Sequence, residues 1–261
     1  MRILVVGATG SIGRLVVEEA VRRGHAVRAL VRNQAKAGQL SPEAQVLVGD
    51  VTRPATLVAA VDGVDGIVFT LGSDGAGKVG AESVDYSGVR NVLKALGLRK
   101  ARIVLMTAIG ITNRAGDYNR ATEACDWKRR SERLVRSSGL PYTIVRPGWF
   151  DYNAPEEHRL LLLQGDRRHA GNPSDGVIAR RQIAEVLVRS LTTADALRKT
   201  FELVAAKGPA QDDFDALFAA LDPDPPGALD GVRDMPNMPL DDEPSRVLED
   251  LEAVEALRSG G

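Results

Sequence analysis

The sequence predicts an α/β fold built on a doubly wound parallel sheet, followed by a small C-terminal lobe and an acidic helical tail. Three observations lead to this prediction. Strand-sized apolar runs alternate with amphipathic helical segments, the order expected of parallel strands joined by right-handed crossovers. A glycine-rich turn, GATGSIG, follows the first apolar run. The chain has 261 residues, 44% of them apolar, which suffices for one domain with a full core.

Six strands are predicted up to residue 148, each a short apolar run bounded by turn residues. They are RILVV (2–6), HAVRALV (25–31), AQVLVGD (44–50), DGIVFTLG (65–72), ARIVLMTA (101–108) and PYTIVRPG (141–148). Between them, helices are predicted at 11–24, 55–63, 81–97 and 119–139. Beyond Pro147 the pattern loosens. It predicts two short strands within 159–180, a helix at 180–191, a strand at 199–205 and helices at 212–221 and 245–257.

Composition divides the chain at residue 207. Residues 1–206 form the predicted α/β domain, with a small substrate lobe after residue 147, and residues 207–261 form a Pro-containing acidic extension. The extension holds four basic and fourteen acidic residues, a net charge of −10, whereas residues 1–206 carry +9. The extension either keeps the protein soluble or folds over the basic body or over a partner subunit, so a homodimer formed through it is one expectation.

Several classes of protein are disfavoured by composition. No stretch approaches the roughly 20 apolar residues of a membrane span, and the first residues, MRILVVGATG, do not resemble a signal peptide. The single cysteine, Cys125, excludes an internal disulfide and suits a reducing compartment, so we expect a cytoplasmic protein without a zinc site. The arginines lie on several predicted helices without interleaved aromatic residues, which disfavours nucleic-acid binding.

The turn GATGSIG predicts a site for the pyrophosphate of a dinucleotide. Gly7, Gly10 and Gly13 lie between the first strand and the first helix, where small residues let backbone N–H groups approach the phosphates. The positive end of the helix dipole points at the same place. The predicted contacts are Gly7, Thr9, Gly10, Ser11, Ile12 and Gly13.

The end of the second strand predicts which dinucleotide is bound. NAD-binding proteins usually place an acidic residue there, but this chain has Val31 followed by Arg32. An arginine can pair with a 2′-phosphate, so NADP(H) is expected over NAD(H), with Arg14 near the same phosphate. Further cofactor contacts are expected at other strand ends: Asp50 and Val51 at the adenine, and Thr70, Leu71 and Gly72 after the fourth strand.

These segments together resemble one known family. GATGSIGRLVVEEAVRRGHAVRALVRN, GDV, VDYSGVRNVLKA, RIVLMTAIG and SGLPYTIVRPG are similar to the atypical short-chain dehydrogenase/reductase superfamily, in its NAD(P)H-binding, NmrA-like branch. That branch has a Rossmann fold and includes small flavin and biliverdin reductases and redox-sensing regulators. The resemblance covers about residues 1–190. It implies that Asn91 braces strand ends and that His25 occupies a structural turn.

The resemblance also implies a catalytic lysine but not its tyrosine partner. Catalytic members of the superfamily use a tyrosine, a lysine four residues later, and a hydroxyl from the fifth strand. Lys128 matches the lysine, Ala124 stands where the tyrosine is expected, and the hydroxyl position falls on Thr107 or Ala108. The usual proton relay is therefore expected to be incomplete.

Three explanations of the missing tyrosine stay open. Another group supplies the proton, from among Tyr118, Cys125, Asp126, Tyr152 and water; the substrate needs no such proton; or the protein senses NADP(H) without turnover. On a straight helix, Tyr118 would lie about 15 Å from Lys128. Cys125 is expected to point away from the vacant position and Asp126 to lie on the helix surface.

Residues after the sixth strand resemble the nicotinamide side of the family's site. They are Pro147, Gly148, Trp149 and Phe150, whose backbone groups are expected to meet the nicotinamide amide. With Tyr152, the two aromatic residues form a concentrated apolar surface in a chain that is only 4% aromatic, which suits a flat aromatic, flavin-like or quinone-like substrate. The leading hypothesis is an NADP(H)-dependent oxidoreductase acting on a small molecule. The alternatives are an NADP(H)-sensing regulator and a sugar-nucleotide epimerase or dehydratase, the last disfavoured by Ala124 and the short lobe.

Overall fold

The computed structural model describes residues 1–73 and 75–259, which contain one ten-stranded sheet with helices on both faces. Its strands are β1 (Arg2–Val6), β2 (Ala26–Val31), β3 (Gln45–Val48), β4 (Gly66–Phe69), β5 (Arg102–Met106), β6 (Tyr142–Pro147), β7 (Trp149–Phe150), β8 (Arg159–Leu163), β9 (Val177–Ile178) and β10 (Lys199–Ala206). The helices are α1 (Gly13–Arg22), α2 (Gly77–Gly80), α3 (Ser87–Leu96), α4 (Asp117–Thr122), α5 (Ala124–Ser137), α6 (Arg180–Thr192), α7 (Phe214–Ala219) and α8 (Ser245–Ser259).

The main sheet is parallel and doubly wound, as predicted. Its order is β3-β2-β1-β4-β5-β6-β10, and each neighbouring pair runs parallel. The chain passes from β1 outward to β3 and then returns to β4 on the other side of β1. In sheets of this kind, ligands bind at the carboxyl ends of the strands where the order reverses, here between β1 and β4.

The segment after Pro147 continues the same sheet. The two predicted short strands are present as β8 and β9, which pair antiparallel with β10. The two-residue strand β7 pairs with β9 and was not predicted, because two residues leave no periodic pattern. Together these strands bring the chain back over the carboxyl ends of β5 and β6.

Three predicted helices differ from the structure. The helix predicted at 119–139 is divided by Glu123, whose φ of 55° is left-handed and separates α4 from α5. The helix predicted at 81–97 begins with a π-helical turn, Ala81–Tyr86, and becomes α-helical only at α3. The segment 55–63 forms only a short 3₁₀ turn at Pro54–Thr56.

Each face of the sheet buries its own apolar core. Alternate residues of β1 point to opposite faces, so Ile3 and Val5 join the core beneath α1 and α6, while Leu4 and Val6 join the core beneath α3 and α5. Helix α8 closes the second core with Val247, Leu251 and Val254.

The acidic extension folds over the basic residues of its own chain. Its carboxylates pair with buried arginines of α5 and β6: Asp230 with Arg129 (2.9 Å) and Arg133 (2.8 Å), Glu243 with Arg130 (2.6 Å) and Arg133 (2.9 Å), Asp224 with Arg136 (3.2 Å), and Asp234 with Arg146 (2.7 Å). The sequence left open whether the extension covers the body or only keeps the protein soluble, and these ion pairs support the first alternative.

Candidate functional site

The glycine turn after β1 has the geometry of a phosphate cradle. Gly7 has a φ of 89°, a conformation that favours glycine, and a Cβ at Gly13 would lie 2.1 Å from the Gly7 carbonyl oxygen. Helix α1 starts at Gly13, and its N-cap residue, Ile12, makes no side-chain capping hydrogen bond. The N–H groups of Arg14, Leu15 and Val16 donate to the carbonyl oxygens of Gly10 and Ile12 at 3.0–3.1 Å, whereas the N–H of Gly13 has no acceptor among the described residues and can meet an anion. These observations fit the predicted pyrophosphate site.

Thr70 supports this turn from the end of β4. Its hydroxyl donates to the carbonyl oxygens of Val6 (3.1 Å) and Gly7 (3.3 Å), and the residue is buried. Leu71 is half-buried and Gly72 is exposed. The carboxyl ends of β1 and β4 thus meet at one place, where the reversal of strand order predicts a ligand.

The adenosine end carries unpaired positive charge. Arg32 directly follows β2, and Arg14 lies in the first turn of α1; within the described residues neither guanidinium has a hydrogen-bonding or ion-pairing partner. Burial opposes ionisation of Asp50, but hydrogen bonds from Thr52 and the nearby charge of Arg32 lower the pKa of its carboxyl. Arg32 and Asp50 therefore share one end of the cleft, as the prediction requires.

Asn91 braces the neighbouring turn. Its side-chain amide donates to the Val51 carbonyl oxygen at 2.8 Å and is buried. Val51 is itself buried and packs close to Gly88, where an added Cβ would meet the Val51 side chain. Asn91 thus fixes the loop after β3, on the adenosine side of the cleft.

Lys128 lies in the second turn of α5, with its ammonium close to a buried carboxylate. Its Nζ lies 3.0 Å from Oδ1 of Asp85, which is in the π-helical turn, and Ser73 donates to the other oxygen of Asp85 at 2.9 Å. π-Helical turns are frequent at functional sites. Ala124, which stands in the tyrosine position, is buried at the start of the same helix.

Thr107 does not reach this site. Its hydroxyl donates to the buried Glu132 at 2.7 Å, and Glu132 also accepts from Arg146 at 2.7 and 3.0 Å. The next residue, Ala108, lines the neighbouring cavity but has no hydroxyl. We therefore withdraw the substrate-orienting role predicted for Thr107, whose hydroxyl belongs to the buried network beneath the site.

A cavity of about 500 Å³ lies beside Lys128. Its lining is Ala108, Ile109, Gly110, Ile111, Asn113, Gly116, Tyr118, Asn119, Ala124, Cys125, Lys128, Pro147, Gly148, Trp149, Phe150, His169, Gly171 and Asp175. All four predicted nicotinamide-side residues are among them. Tyr152 is exposed and meets Trp149 edge to face, with ring centroids 6.4 Å apart. The cavity thus combines an apolar surface with a few polar groups, as small-molecule sites do.

The backbone after Pro147 differs from the expectation. The N–H of Gly148 donates to Leu203 and the N–H of Trp149 donates to Gly176, both at 2.9 Å. Because these two donors serve strand pairing, they are not free to bind a nicotinamide amide. A Cβ at Gly148 would lie 2.5 Å from the Gly176 carbonyl oxygen, so this glycine is required for the close approach of the two backbones.

Two predictions about α5 are wrong. Cys125 was expected to point elsewhere but lines the cavity; burial, followed by the charges of Asp126 and Asp166, raises the pKa of its thiol to about 12. Asp126 was expected on the surface but is buried, where it accepts from Arg114 at 3.0 Å and from Asn119 at 3.1 Å. Asp126 is therefore held in a structural ion pair and does not line the cavity.

Tyr118 reaches the cavity because the helix is broken. The left-handed Glu123 turns α4 out of line with α5, so the distance expected for a straight helix does not apply. Burial of the hydroxyl, followed by the charge of Cys125, raises the pKa of Tyr118, although most of the side chain is exposed. It lies at the mouth of the cavity as a neutral phenol.

Sequence reasoning missed His169, Asn113 and Asp175. They come from loops that follow β5 and β8, where no regular pattern indicates what the side chains face. The Nε2 of His169 lies 3.1 Å from the Thr112 hydroxyl and 3.7 Å from the Asp166 carboxylate. Asp175 accepts from the N–H groups of Ala170 (2.7 Å) and Gly171 (2.8 Å) and so shapes the loop beside the cavity.

The described residues contain neither a membrane-spanning helix nor a cluster of metal ligands. Across residues 1–73 and 75–259, none of the helices combines the length and apolar character needed to cross a membrane. In the same residues, no three His, Cys, Asp or Glu side chains are grouped so as to hold a metal ion.

Known proteins resemble this chain in sequence. The family model described as NAD(P)H-binding matches residues 7–194. The sanguinarine reductase of Eschscholzia californica is 28% identical, over 85% of this chain and 96% of its own length. The protein named "uncharacterized sugar epimerase YhfK", of Bacillus subtilis, is 29% identical over 80% of this chain and 96% of its own length.

A solved structure gives the same picture of the fold. The anaerobillin reductase ChuY of Escherichia coli O157:H7 superimposes with a TM-score of 0.62, at 24% identity, over 80% of this chain and all of that one. This likeness supports the Rossmann fold alone. The reductases among the sequence relatives confirm, at the level of the family, the prediction of an NAD(P)-dependent oxidoreductase.

Proposed function

The chain belongs to the NAD(P)H-binding family, and on that premise we propose that it is an NADPH-dependent reductase of flat, conjugated small molecules. One observation carries the proposal. The cavity of about 500 Å³ lies between Lys128 and the segment Pro147–Phe150, the place where the nicotinamide end of a dinucleotide bound over the glycine turn would emerge. Trp149 and Phe150 give that cavity an apolar wall suited to an aromatic ring.

The preference for NADPH rests on Arg32 and Arg14. Both lie at the adenosine end without a partner among the described residues, and no acidic side chain follows β2 to accept from ribose hydroxyls. A 2′-phosphate would supply the missing counter-charge, and charge-assisted hydrogen bonds of this kind contribute about 1.5–3 kcal/mol each.

When bound, NADPH supplies a hydride. The chain's own residues then have three tasks. The glycine turn and α1 hold the phosphates, Lys128 holds ribose hydroxyls while Asp85 keeps its ammonium in place, and the aromatic wall orients the acceptor. Positioning of this kind accounts for much of the rate of a transfer between two bound reactants.

The state of the cavity favours an enzyme over a sensor. A sensor that lacks turnover was expected to have the cavity filled, for example by the acidic extension. The extension packs against α5 instead, and none of its described residues, 207–259, lines the cavity. An accessible cavity beside Lys128 supports binding of a second molecule.

The remaining expectations are part of the proposal. We propose a small-molecule substrate, no nucleic-acid or membrane partner, and residues 207–261 as an extension that braces the domain. A homodimer through the extension has less support, because its acidic residues pair within the chain. The single cysteine favours the cytoplasm, although several relatives are named as chloroplastic.

The experiment is to mix the purified protein with NADPH and a panel of flavins, quinones and aromatic aldehydes and to follow the absorbance of the reduced nicotinamide. We expect oxidation with at least one flat acceptor. The control is Gly13→Val, whose side chain would collide with the Gly7 carbonyl group and prevent cofactor binding. If no acceptor oxidises NADPH although the cofactor binds, the reductase proposal is wrong.

A further inference from the structure

We propose that His169 is the proton donor of this enzyme and that the buried carboxylate of Asp166 positions it. The proposal rests on the reductase function proposed above and answers the question raised by Ala124. It assigns the missing proton to a residue on the loop after β8, which lines the same cavity as residues of α5.

The Asp166 carboxylate is held in place from two sides. Its Oδ1 accepts from the Gly110 N–H and its Oδ2 from the Thr112 N–H, both at 2.7 Å, and the residue is fully buried. Its backbone is left-handed, with a φ of 46°, which is uncommon for a residue other than glycine and is found at functional sites. The loops after β5 and β8 are thus fastened together beneath His169.

The His169 ring lies between this carboxylate and the cavity. Its Nε2 lies 3.7 Å from Asp166 Oδ2 and 3.1 Å from Thr112 Oγ1. The Thr112 hydroxyl has one proton, which the Asp166 carbonyl oxygen accepts at 3.3 Å, so the Nε2–H of His169 donates to Thr112. The other ring nitrogen, Nδ1, has no hydrogen-bonding partner among the described residues, and the residue lines the cavity. We infer that Nδ1–H faces the substrate.

The other polar groups of the cavity are less suited to this task. Cys125 has a pKa of about 12 and Tyr118 is a phenol with a raised pKa, so both are weak acids at neutral pH. The Lys128 ammonium is paired with Asp85. Asp175 accepts from three backbone N–H groups, so its side-chain oxygens are already occupied by the loop.

In the proposed step, an aldehyde receives a hydride from NADPH and a proton from His169. The carbonyl carbon accepts a hydride, with its two electrons, from the reduced nicotinamide, and a C–H bond forms. The carbon–oxygen π bond breaks, and the oxygen takes the proton that leaves Nδ1 of the His169 imidazolium. The products are an alcohol, the oxidised dinucleotide and neutral His169, which regains a proton from solvent. Asp166 stabilises the imidazolium and fixes the orientation of the ring.

A matched pair of acceptors separates proton donation from binding. 9-Anthraldehyde and the N-methylacridinium cation are both flat and tricyclic, but hydride transfer to the cation gives a neutral product without a proton. We expect His169→Gln to lower kcat for the aldehyde by about 100-fold or more, the contribution typical of a general acid. Its kcat for the cation should stay within about twofold of the wild-type value. His158→Gln, which changes an exposed histidine outside the cavity, should leave both unchanged.

A binding measurement without cofactor gives an independent readout. 9-Anthracenecarboxylate resembles the aldehyde but carries a fixed negative charge, and its fluorescence reports binding. Histidine side chains change charge between about pH 5 and 8. The charged groups nearest to His169 are Asp166, Arg168 and Asp175. Tyr118, Lys128 and Cys125 line the same cavity, and Glu202, whose pKa is raised to about 8 by burial, accepts from the Asp166 N–H at 3.1 Å. Because Glu202 is present in both proteins, the comparison between them isolates His169. We expect the ratio of the Kd at pH 8.5 to the Kd at pH 6 to be at least fivefold larger for the wild type than for His169→Gln.

The outcomes distinguish this proposal from the function on which it rests. If the wild type reduces neither acceptor, the reductase proposal fails and this one fails with it. If the wild type reduces both and His169→Gln matches it on the aldehyde, only the role of His169 is overturned. Equal losses on aldehyde and cation would also overturn it, since they would indicate a role in binding or folding.

Discussion

The ammonium of Lys128 lies 3.0 Å from Oδ1 of Asp85, a carboxylate that is otherwise closed off from solvent. The two atoms form an ion pair, but their geometry is not that of a hydrogen bond. Within the described residues, Oδ1 has no other partner. The lysine expected for catalysis is therefore also the counter-charge of a buried acid on a π-helical turn. Its removal should affect the stability of the fold as well as the site.

We predict that Lys128→Met destabilises the protein by about 3 kcal/mol, because it leaves the Asp85 charge buried and unpaired. The double variant Lys128→Met/Asp85→Asn should recover most of this loss. Urea unfolding measures both. The control is Lys78→Met, which breaks an exposed pair with Glu123 and should cost less than about 1 kcal/mol. Equal stability of the single and double variants would contradict the prediction.

We predict that Arg32→Asp raises the Kd for NADPH about 10- to 100-fold, the equivalent of one lost charge-assisted hydrogen bond. The Kd for NADH, which has no 2′-phosphate, should change much less. Isothermal titration calorimetry with both cofactors tests this. Arg181→Asp makes the same change of charge at an exposed residue of α6 and should alter neither Kd. If Arg32→Asp leaves both unchanged, the adenosine end is assigned wrongly.

We predict that Glu243→Gln destabilises the protein by about 3 kcal/mol, because Arg130 and Arg133 lose the charge that faces them in a buried environment. For a chain of this size, Tm should fall by about 6–12 °C in calorimetry. The NADPH affinity should remain that of the wild type, since the extension does not line the cavity. Asp241→Asn, at an exposed residue close by, is the control. An unchanged Tm would mean that the extension does not brace α5.

We predict that Glu202→Gln removes part of the pH dependence of stability. Burial raises the pKa of Glu202 to about 8; the charge of Arg146 opposes this rise, and the charges of Asp166 and Asp234 add to it. Between about pH 4.5 and 8 the folded protein keeps a proton that the unfolded chain has released, so rising pH favours unfolding. The wild type should lose stability relative to the variant between pH 5 and 9, by a few kcal/mol.

Urea unfolding at several pH values measures this difference. The two proteins should be closest in stability near pH 5, the difference should grow as the pH rises to about 8, and above about pH 8 it should stay constant because Glu202 is then ionised in both the folded and the unfolded state. Parallel curves across the whole range would show that Glu202 titrates normally in the folded protein.

Local patterns allowed much of the fold and of the cofactor cleft to be predicted. The strand, glycine turn and helix around Gly7, Gly10 and Gly13 are contiguous in sequence, and their chemistry depends on backbone geometry that glycine spacing indicates. The parallel, doubly wound arrangement of the main sheet follows from strands that alternate with helices. The charge of the extension was compatible with contact to the basic body but did not decide between that and a solubilising role, and it did not indicate which arginines would be reached.

The chemistry of the cavity was less accessible from sequence. The left-handed conformation of Glu123 has no glycine or proline to mark it, so the separation of Tyr118 from α5 could not be foreseen. His169 depends on a loop whose position is fixed by contacts between Asp166 and backbone N–H groups more than 50 residues away. Thr107 was placed at the correct strand end, but its hydroxyl turns to Glu132, a partner that only the packing of α5 reveals.

The break at Glu123 also bears on how substrate selectivity can change in this protein. The six-residue helix α4 forms one edge of the pocket entrance, while α5 carries the lysine and most of the buried ionic network. The left-handed residue gives the two helices different directions, but Asn119 of α4 accepts from the N–H groups of Cys125 (2.9 Å) and Asp126 (3.2 Å) at the start of α5. If Asn119 is kept, the rest of α4 can be exchanged without rotating Lys128. Grafting this short segment from reductases with other acceptors should therefore transfer preference for the acceptor and leave coenzyme binding intact.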